Sequence, residues 1–267
     1  MSNPSDPSPG SRSRLRPALA GAVALVALIP IAVALLLSGG SGASTGAAGS
    51  LFKPFSSSPP ARGHNLGPPG RGTVVALMRH AAQMRSRPGG RAFAEVRLRT
   101  GFGSPQAMWV VRRSGAWLGV ISPLAGNGHV GWIPAADASL SRVDWELKVS
   151  LLARRVSVLY NGRTVERYTV AIGQPSAPTP TGRFAVTDRL LTGDPTGPYG
   201  CCILALSAKA PHAIQDWSGG NRIAIHSTPE TSSIGEPVSH GCLRLTLAEG
   251  RWLLNHIPLG TPTLIST

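Results

Sequence analysis

The chain has 267 residues, 42% hydrophobic and 14% charged, with a formal net charge of +14 and three cysteines. That much apolar material builds a packed core in one or two domains, so a wholly disordered chain is excluded. Basic residues outnumber acidic ones 5 to 1 over residues 1–70, 10 to 3 over 71–145 and 11 to 8 over 146–267, so the middle of the chain is its basic part.

Residues 17–37 carry no charge and follow Arg12, Arg14 and Arg16. An uncharged run of this length is predicted to cross a hydrocarbon core of about 30 Å as a transmembrane helix. The arginines before it, with no basic residue in 38–51, put residues 1–16 in the cytoplasm and everything after the span outside the cell membrane. The other reading is a cleaved signal peptide ending near Ser41-Gly42-Ala43, although the apolar run is longer than a usual signal core. Residues 38–71 are rich in Ser, Gly, Pro and Ala without apolar periodicity, which predicts a flexible linker of roughly 30 Å r.m.s. span. An extracytoplasmic position argues against a nucleic-acid partner. The basic excess then fits a salt-screened attraction to anionic wall polymers or lipid headgroups, or simply solvated arginines.

Over residues 72–138, short runs such as Thr73–Leu77, Met108–Val111, Trp117–Val120 and Gly131–Pro134 alternate with turns such as Arg87-Pro88-Gly89-Gly90. Spacing near ten residues predicts a small β-barrel. Trp117-Leu118-x-Val120 with Gly131-Trp132-Ile133 resembles bacterial SH3-type domains. Such a module binds the wall, or it uses Trp109, Trp117 and Trp132 as a core and only spaces or docks the next domain.

From residue 145 onward, Arg155–Tyr160 and Thr164–Val170 flank Asn161-Gly162, a hairpin signal. Gly200–Leu206 reads as a buried strand in which Cys201 and Cys202 act as small apolar residues, a disulfide between these neighbours being the strained alternative. Thr246 and Glu249 form a capping box for a helix that ends before Pro258. Between these lie Ile223-Ala224-Ile225-His226-Ser227 and Ser239-His240-Gly241-Cys242-Leu243-Arg244-Leu245. A thiol at neutral pH needs an imidazole within reach to become a nucleophile, and His226 and Cys242 are predicted to meet across one hairpin. Gly241 allows a tight turn that aims the N–H groups of Gly241 and Cys242 at a common oxyanion site. His240, two residues from the thiol, competes for the role of base if this stretch is a strand. Arg244 contacts a substrate carboxylate or ties down the loop. His226, His240 and Cys242 also offer three zinc ligands, with a fourth from His212 or Asp216, but neither a CxxC nor an HExxH pattern accompanies them, and no metal or cofactor is expected.

His226-Ser227 followed by Ser239-His240-Gly241-Cys242-x-Arg244, with Pro178-Thr179-Pro180-Thr181-Gly182-Arg183-Phe184 and Gly197-Pro198-Tyr199-Gly200 upstream, resembles the L,D-transpeptidase catalytic domain, the YkuD-like family. The resemblance implies a β-sandwich catalytic domain over 145–267, and with the one late helix, the SH3-like barrel and the amino-terminal helix read above, a mainly β protein is expected. It implies Cys242 as nucleophile, His226 as base, the carbonyl of Ser227 holding the imidazole tautomer and Gly241 in the oxyanion turn. Ser239, His240, Arg244 and Tyr199 are then expected against substrate. The implied reaction is acyl transfer on peptidoglycan stem peptides through a cysteine thioester, yielding 3→3 cross-links, with carbapenem-type β-lactams as inhibitors. A cysteine-dependent wall-peptide hydrolase and a non-catalytic wall-binding protein are the rival readings.

Overall fold

Alternating apolar residues and turn-forming glycines dictate a mainly β chain, and the computed structural model, which describes residues 52–55, 72–211 and 220–267, has this architecture. The expected tail (1–16), the span (17–37) and all of the linker except 52–55 lie outside the described residues. Among the described residues, no helix is long and apolar enough to cross a membrane.

A short strand, β1 (Lys53–Pro54), precedes the amino-terminal module, which comprises β2 (Thr73–Met78), β3 (Ala82–Arg85), β4 (Ala92–Val96), β5 (Ala107–Ser114), β6 (Trp117–Ile121), β7 (Gly131–Pro134) and β8 (Ala138–Val143). These form one antiparallel sheet in the order β4-β3-β7-β6-β5-β2-β8. It curls around Ala76, Met78, Ala82, Met84, Val96, Met108, Leu118, Val120 and Ile133. The tryptophans are not that core. Because strand side chains alternate, Met108, Leu118 and Ile133 turn inward and their neighbours Trp109, Trp117 and Trp132 lie half-buried on the other face. There Trp117 lies under the Arg85 guanidinium, 5.7 Å from the ring centre. Gly131 is required where its strand crosses Met84, since a Cβ would stand 2.2 Å from the sulfur. The module also runs past residue 138: β8 pairs with β2 from Met78↔Ala138 to Thr73↔Val143.

The remaining elements are β9 (Trp145–Ser150), β10 (Arg155–Tyr160), β11 (Arg163–Thr169), β12 (Ile172–Gly173), β13 (Gly182–Leu191), β14 (Cys202–Lys209), β15 (Arg222–Ser227), β16 (Pro237–Ser239), β17 (Leu243–Leu245), α1 (Leu247–His256) and β18 (Pro262–Ser266). The β10–β11 hairpin turns at Asn161 and Gly162, both at positive φ (51° and 75°), as the Asn-Gly pair predicts. The α1 capping box is present: the Glu249 N–H donates to Thr246 Oγ1, and the Thr246 N–H donates to the Glu249 carboxylate.

One continuous sheet runs β11-β10-β9-β18-β13-β14-β15-β17, with β1 along β13. The long strand β13 belongs to both halves: residues 182–185 pair with β18 and residues from Val186 onward with β14. The halves share a core in which Leu147, Val149, Val156 and Val158 from one meet Leu204, Leu206, Ile223, Ile225, Leu243 and Leu245 from the other, with Leu253 and Leu254 of α1. This is the expected sandwich with one late helix.

The module is docked on the catalytic half. Thr100 Oγ1 donates to the buried Asp188 of β13. Asn127 makes a reciprocal pair with Lys209, its Nδ2 donating to the carbonyl (2.7 Å) and its Oδ1 accepting from the N–H (2.9 Å). Arg183 reaches over Trp109. Consequently β13 and β14 are buried on both faces for most of their length, which explains why Cys202–Leu206 of β14 reads as a continuous apolar run rather than an alternating one.

Candidate active site

β15 and β17 are neighbours in a parallel pair, with Ile225↔Leu243 and His226↔Arg244 in register. The expected hairpin between His226 and Cys242 is therefore absent. A parallel pair needs a crossover, and the connection provides it through β16, which pairs in parallel with β12. The strand period still brings the two groups together: Ile223, Ile225, Leu243 and Leu245 face the main core, so Ala224, His226 and Arg244 take the opposite face. Cys242 joins Ala224, Leu190 and Ile203 there, with Phe52, Phe102 and Tyr199 packed against them. His226 is in register with Arg244, and Cys242 immediately precedes β17 on the same face.

His226 and Cys242 are 2% and 7% exposed. His226 Nδ1 is 2.8 Å from the carbonyl oxygen of Ser227. A carbonyl only accepts, so Nδ1 carries the proton and Nε2 is left as an acceptor. Burial pushes the imidazole down to about 4, opposed by the Ser227 hydrogen bond and assisted by the Arg244 charge. Burial likewise pushes the Cys242 thiol up to about 11, against a backbone hydrogen bond at Ala224 and the Arg244 charge. At neutral pH the pair therefore rests as thiol and neutral imidazole, and the sulfur is not ionised beforehand.

The Tyr199 ring stands edge-on to His226, with centroids 5.0 Å apart, and the Cys242 charge helps to push its phenol up to about 12 after burial. Phe52, ahead of β1, packs edge-on against both Tyr199 and Phe102 of the module. These three rings wall the face that carries the thiol.

Gly241 has φ +111°, and a Cβ there would stand 2.7 Å from Ile223 Cδ1, so only glycine makes this turn. Its N–H does not join the expected oxyanion pair, because it donates to Ser239 Oγ at 3.1 Å. The Cys242 N–H makes no hydrogen bond among the described residues. Ser239 was expected against substrate; instead it is 1% exposed, and its hydroxyl is committed to Gly241 and to the Cys242 carbonyl. His240 lies exposed in a bend, outside any strand, so the alternation that made it a rival base does not apply. Arg244 makes no side-chain hydrogen bond among the described residues, and its Nε is buried without a partner, which disfavours the loop tie. No group of three or more His, Cys, Asp or Glu comes together as a metal would need among the described residues; His212 and Asp216 lie outside them.

Cys201 and Cys202 form a disulfide, and Cys242 is free. The strained alternative is thus the one adopted, with the bridge at the entrance to β14 rather than within it. It packs on the site: the Cys202 N–H donates to Ser227 Oγ at 3.0 Å, and Cys201 Sγ lies 3.5 Å from the same oxygen. Sequence reasoning also missed the buried pair Asp188–Arg222, 3.8 Å apart. Its signal was a carboxylate beside Phe184-Ala185-Val186 in a strand that ends Leu190-Leu191.

A model of the L,D-transpeptidase catalytic domain, YkuD, matches residues 144–265. YkuD of Bacillus subtilis strain 168, named as an L,D-transpeptidase, is 30% identical over 124 residues, covering 46% of this chain and 67% of that protein. L,D-transpeptidase 1 of Mycobacterium tuberculosis strain H37Rv is 30% identical over 124 residues, covering 42% of this chain and 47% of that protein. The solved structure of the L,D-transpeptidase LdtMt1 in complex with imipenem aligns at 18% identity with a TM-score of 0.38, over 59% of this chain and 97% of that one. Through residues 144–265, the chain belongs to the family of L,D-transpeptidase catalytic domains.

Proposed function

We propose that this protein is a peptidoglycan L,D-transpeptidase in which Cys242 is the nucleophile and His226 its base. The observation that supports the reading is that His226 and Cys242 are both buried on one face of the paired strands β15 and β17, with Nδ1 of the imidazole held by Ser227. Because both groups rest neutral, the thiol proton passes to Nε2 as the sulfur attacks the carbonyl of an L,D peptide bond in a tetrapeptide stem. The Cys242 N–H, which has no hydrogen-bond partner among the described residues, supports the oxyanion of the tetrahedral intermediate. The carbon–nitrogen bond then breaks, the departing D-alanine amine takes the proton from His226, and a thioester remains. An amine from a neighbouring stem attacks the thioester, and the sulfur leaves with its proton restored, giving a 3→3 cross-link.

Arg244, whose buried Nε has no partner among the described residues, takes a substrate carboxylate, and Tyr199 lines the stem-peptide path beside His226. Carbapenem-type β-lactams acylate the same thiol. Residues 17–37 anchor the protein in the cell membrane and hold the catalytic domain outside it, a reading that rests on the sequence. The SH3-like reading of the module likewise rests on its tryptophan motif; its docking through Thr100 and Asn127 supports a role as a cover and spacer for the catalytic domain.

The test is mass analysis of disaccharide-tetrapeptide incubated with the protein and with its Cys242→Ala variant. A dimeric product that disappears with the variant is expected. Release of tripeptide without dimer would favour the hydrolase reading, and identical products from both proteins would refute the assignment.

A further inference from the structure

The oxyanion donor rests on a peptide that needs an anchor of its own. Gly241, at φ +111°, has backbone freedom that no side chain restricts. Ser239 Oγ binds the atoms on either side, the Gly241 N–H and the Cys242 carbonyl, but not the peptide that joins the two residues. That peptide is held by one group from another part of the chain: Thr179 Oγ1 donates to the Gly241 carbonyl oxygen at 2.9 Å and accepts the Gly173 N–H at 2.9 Å. Both directions are fixed by chemistry, because an N–H only donates and a carbonyl only accepts.

Thr179 is itself rigidly seated. It is 4% exposed, and the loop that carries it folds back so tightly that a Cβ on Gly173 would lie 2.4 Å from both the Ala177 carbonyl oxygen and the Thr179 nitrogen. The same loop is tied to the cysteine turn by the Gln174 N–H, which donates to the Ser239 carbonyl. In a planar trans peptide the N–H points opposite to the C=O. Fixing the Gly241 carbonyl on Thr179 therefore fixes the direction of the Cys242 N–H.

We infer that Thr179 is a positioning residue for acyl transfer, aiming the Cys242 N–H at the oxygen of the tetrahedral intermediate. The inference rests on the proposed function and adds a residue to it. Thr179 acts through Gly241 and touches no reacting atom. Its loss removes the alignment of the donor while leaving the sulfur and the imidazole in place.

The test separates reactions that form an oxyanion from one that does not. The full chain and its Thr179→Val and Thr179→Ser variants are treated with imipenem, whose ring carbonyl is attacked through a tetrahedral oxyanion. Separately they are treated with iodoacetamide, which alkylates the same sulfur by displacement at a saturated carbon. In Thr179→Val the acylation rate relative to the alkylation rate is expected to fall about 10- to 100-fold. Thr179→Ser, which keeps the hydroxyl, is expected to restore the ratio. Thr179→Ala, smaller than the native side chain, gives the same reading where valine is not accommodated. An unchanged ratio, or both rates falling together, would overturn the inference. A wild-type chain that imipenem does not acylate at Cys242 would instead remove the proposed function, and this inference with it.

Discussion

The module and the β13–β14–β15–β17 half of the catalytic sheet are both β structure, yet they use their two faces differently. The module turns one face to a core of methionines and aliphatics and leaves its tryptophans half in solvent. This half of the catalytic sheet is covered on both sides, by the sandwich core on one and by the module, Phe52 and Tyr199 on the other. Polar groups on a half-solvated face cost little. On a doubly covered face they must be held neutral or paired, and the site follows that rule: thiol and imidazole are each pushed toward the uncharged form, and Asp188 accepts from Thr100 at one oxygen and is ion-paired with Arg222 at the other. Chemistry placed on an interior sheet face thus acquires a dry environment, and the docked module helps to keep it dry.

The sharpest way to break this comparison is to remove the chemistry from the covered face. Cys242→Ala is expected to lower transpeptidation by about 10⁴-fold or more while leaving the fold intact, since alanine is a small apolar replacement in an apolar cluster. A steady-state assay paired with a thermal melt checks both halves of that statement. His226→Gln is expected to act in the same direction.

The opposite face carries packing instead. Leu204→Ala, at 2% exposure in the sandwich core, is expected to cost about 2–5 kcal/mol, whereas Trp117→Ala on the module's outer face is expected to cost less than half as much. Urea denaturation of both variants reads the contrast, and equal costs would contradict the two-sided burial described for β14.

Covering His226 also predicts a pH dependence. Its folded value lies near 4 against an ordinary 6.5, so the folded state binds fewer protons than the unfolded one between those values. Stability from this group is complete above about pH 6.5 and is lost as the pH falls toward 4, by about 3 kcal/mol. Cys242 behaves oppositely: its folded value near 11 exceeds the ordinary 9.0, so its contribution is complete below pH 9 and is lost as the pH rises toward 11. Unfolding measured from pH 4 to 8 should show an acid limb in the wild type that is reduced in His226→Gln.

The smallest expected effect tests the cover. Asn127→Ala removes both hydrogen bonds to the Lys209 backbone and is expected to cost about 1–2 kcal/mol. Faster hydrogen exchange along β14 in this variant is the finer readout, and unchanged exchange would show that the docking does not protect the strand.

What the sequence disclosed follows the range of the interactions involved. The Asn161-Gly162 hairpin and the Thr246 capping box depend on residues three or four apart, and both formed where the chain predicted them. The nearness of His226 and Cys242 was legible from the motif, but its route was not: the parallel pairing of β15 with β17 depends on β12 receiving β16, a contact between distant segments. Strands β3, β4 and β8 were missed because Ala82–Arg85, Ala92–Val96 and Ala138–Val143 are short or rich in small, charged and polar residues with few β-branched or aromatic ones. For the tryptophans the sequence left a core role and a wall-binding role open, and the strand period, set by Leu118 and Ile133, turned them away from the core. The roles of Ser239 and Thr179 depend on hydroxyl partners that only the folded loops supply.

The central claim, that the Cys242 sulfur carries the acyl group, is tested most directly by acid-quenching the protein during reaction with a synthetic tetrapeptide stem and mapping the adduct by peptide mass spectrometry. The account predicts a tripeptide acyl group on the peptide containing Cys242, with free D-alanine released in equal amount. An acyl group on another residue, or cross-linking that persists in Cys242→Ala, would contradict it.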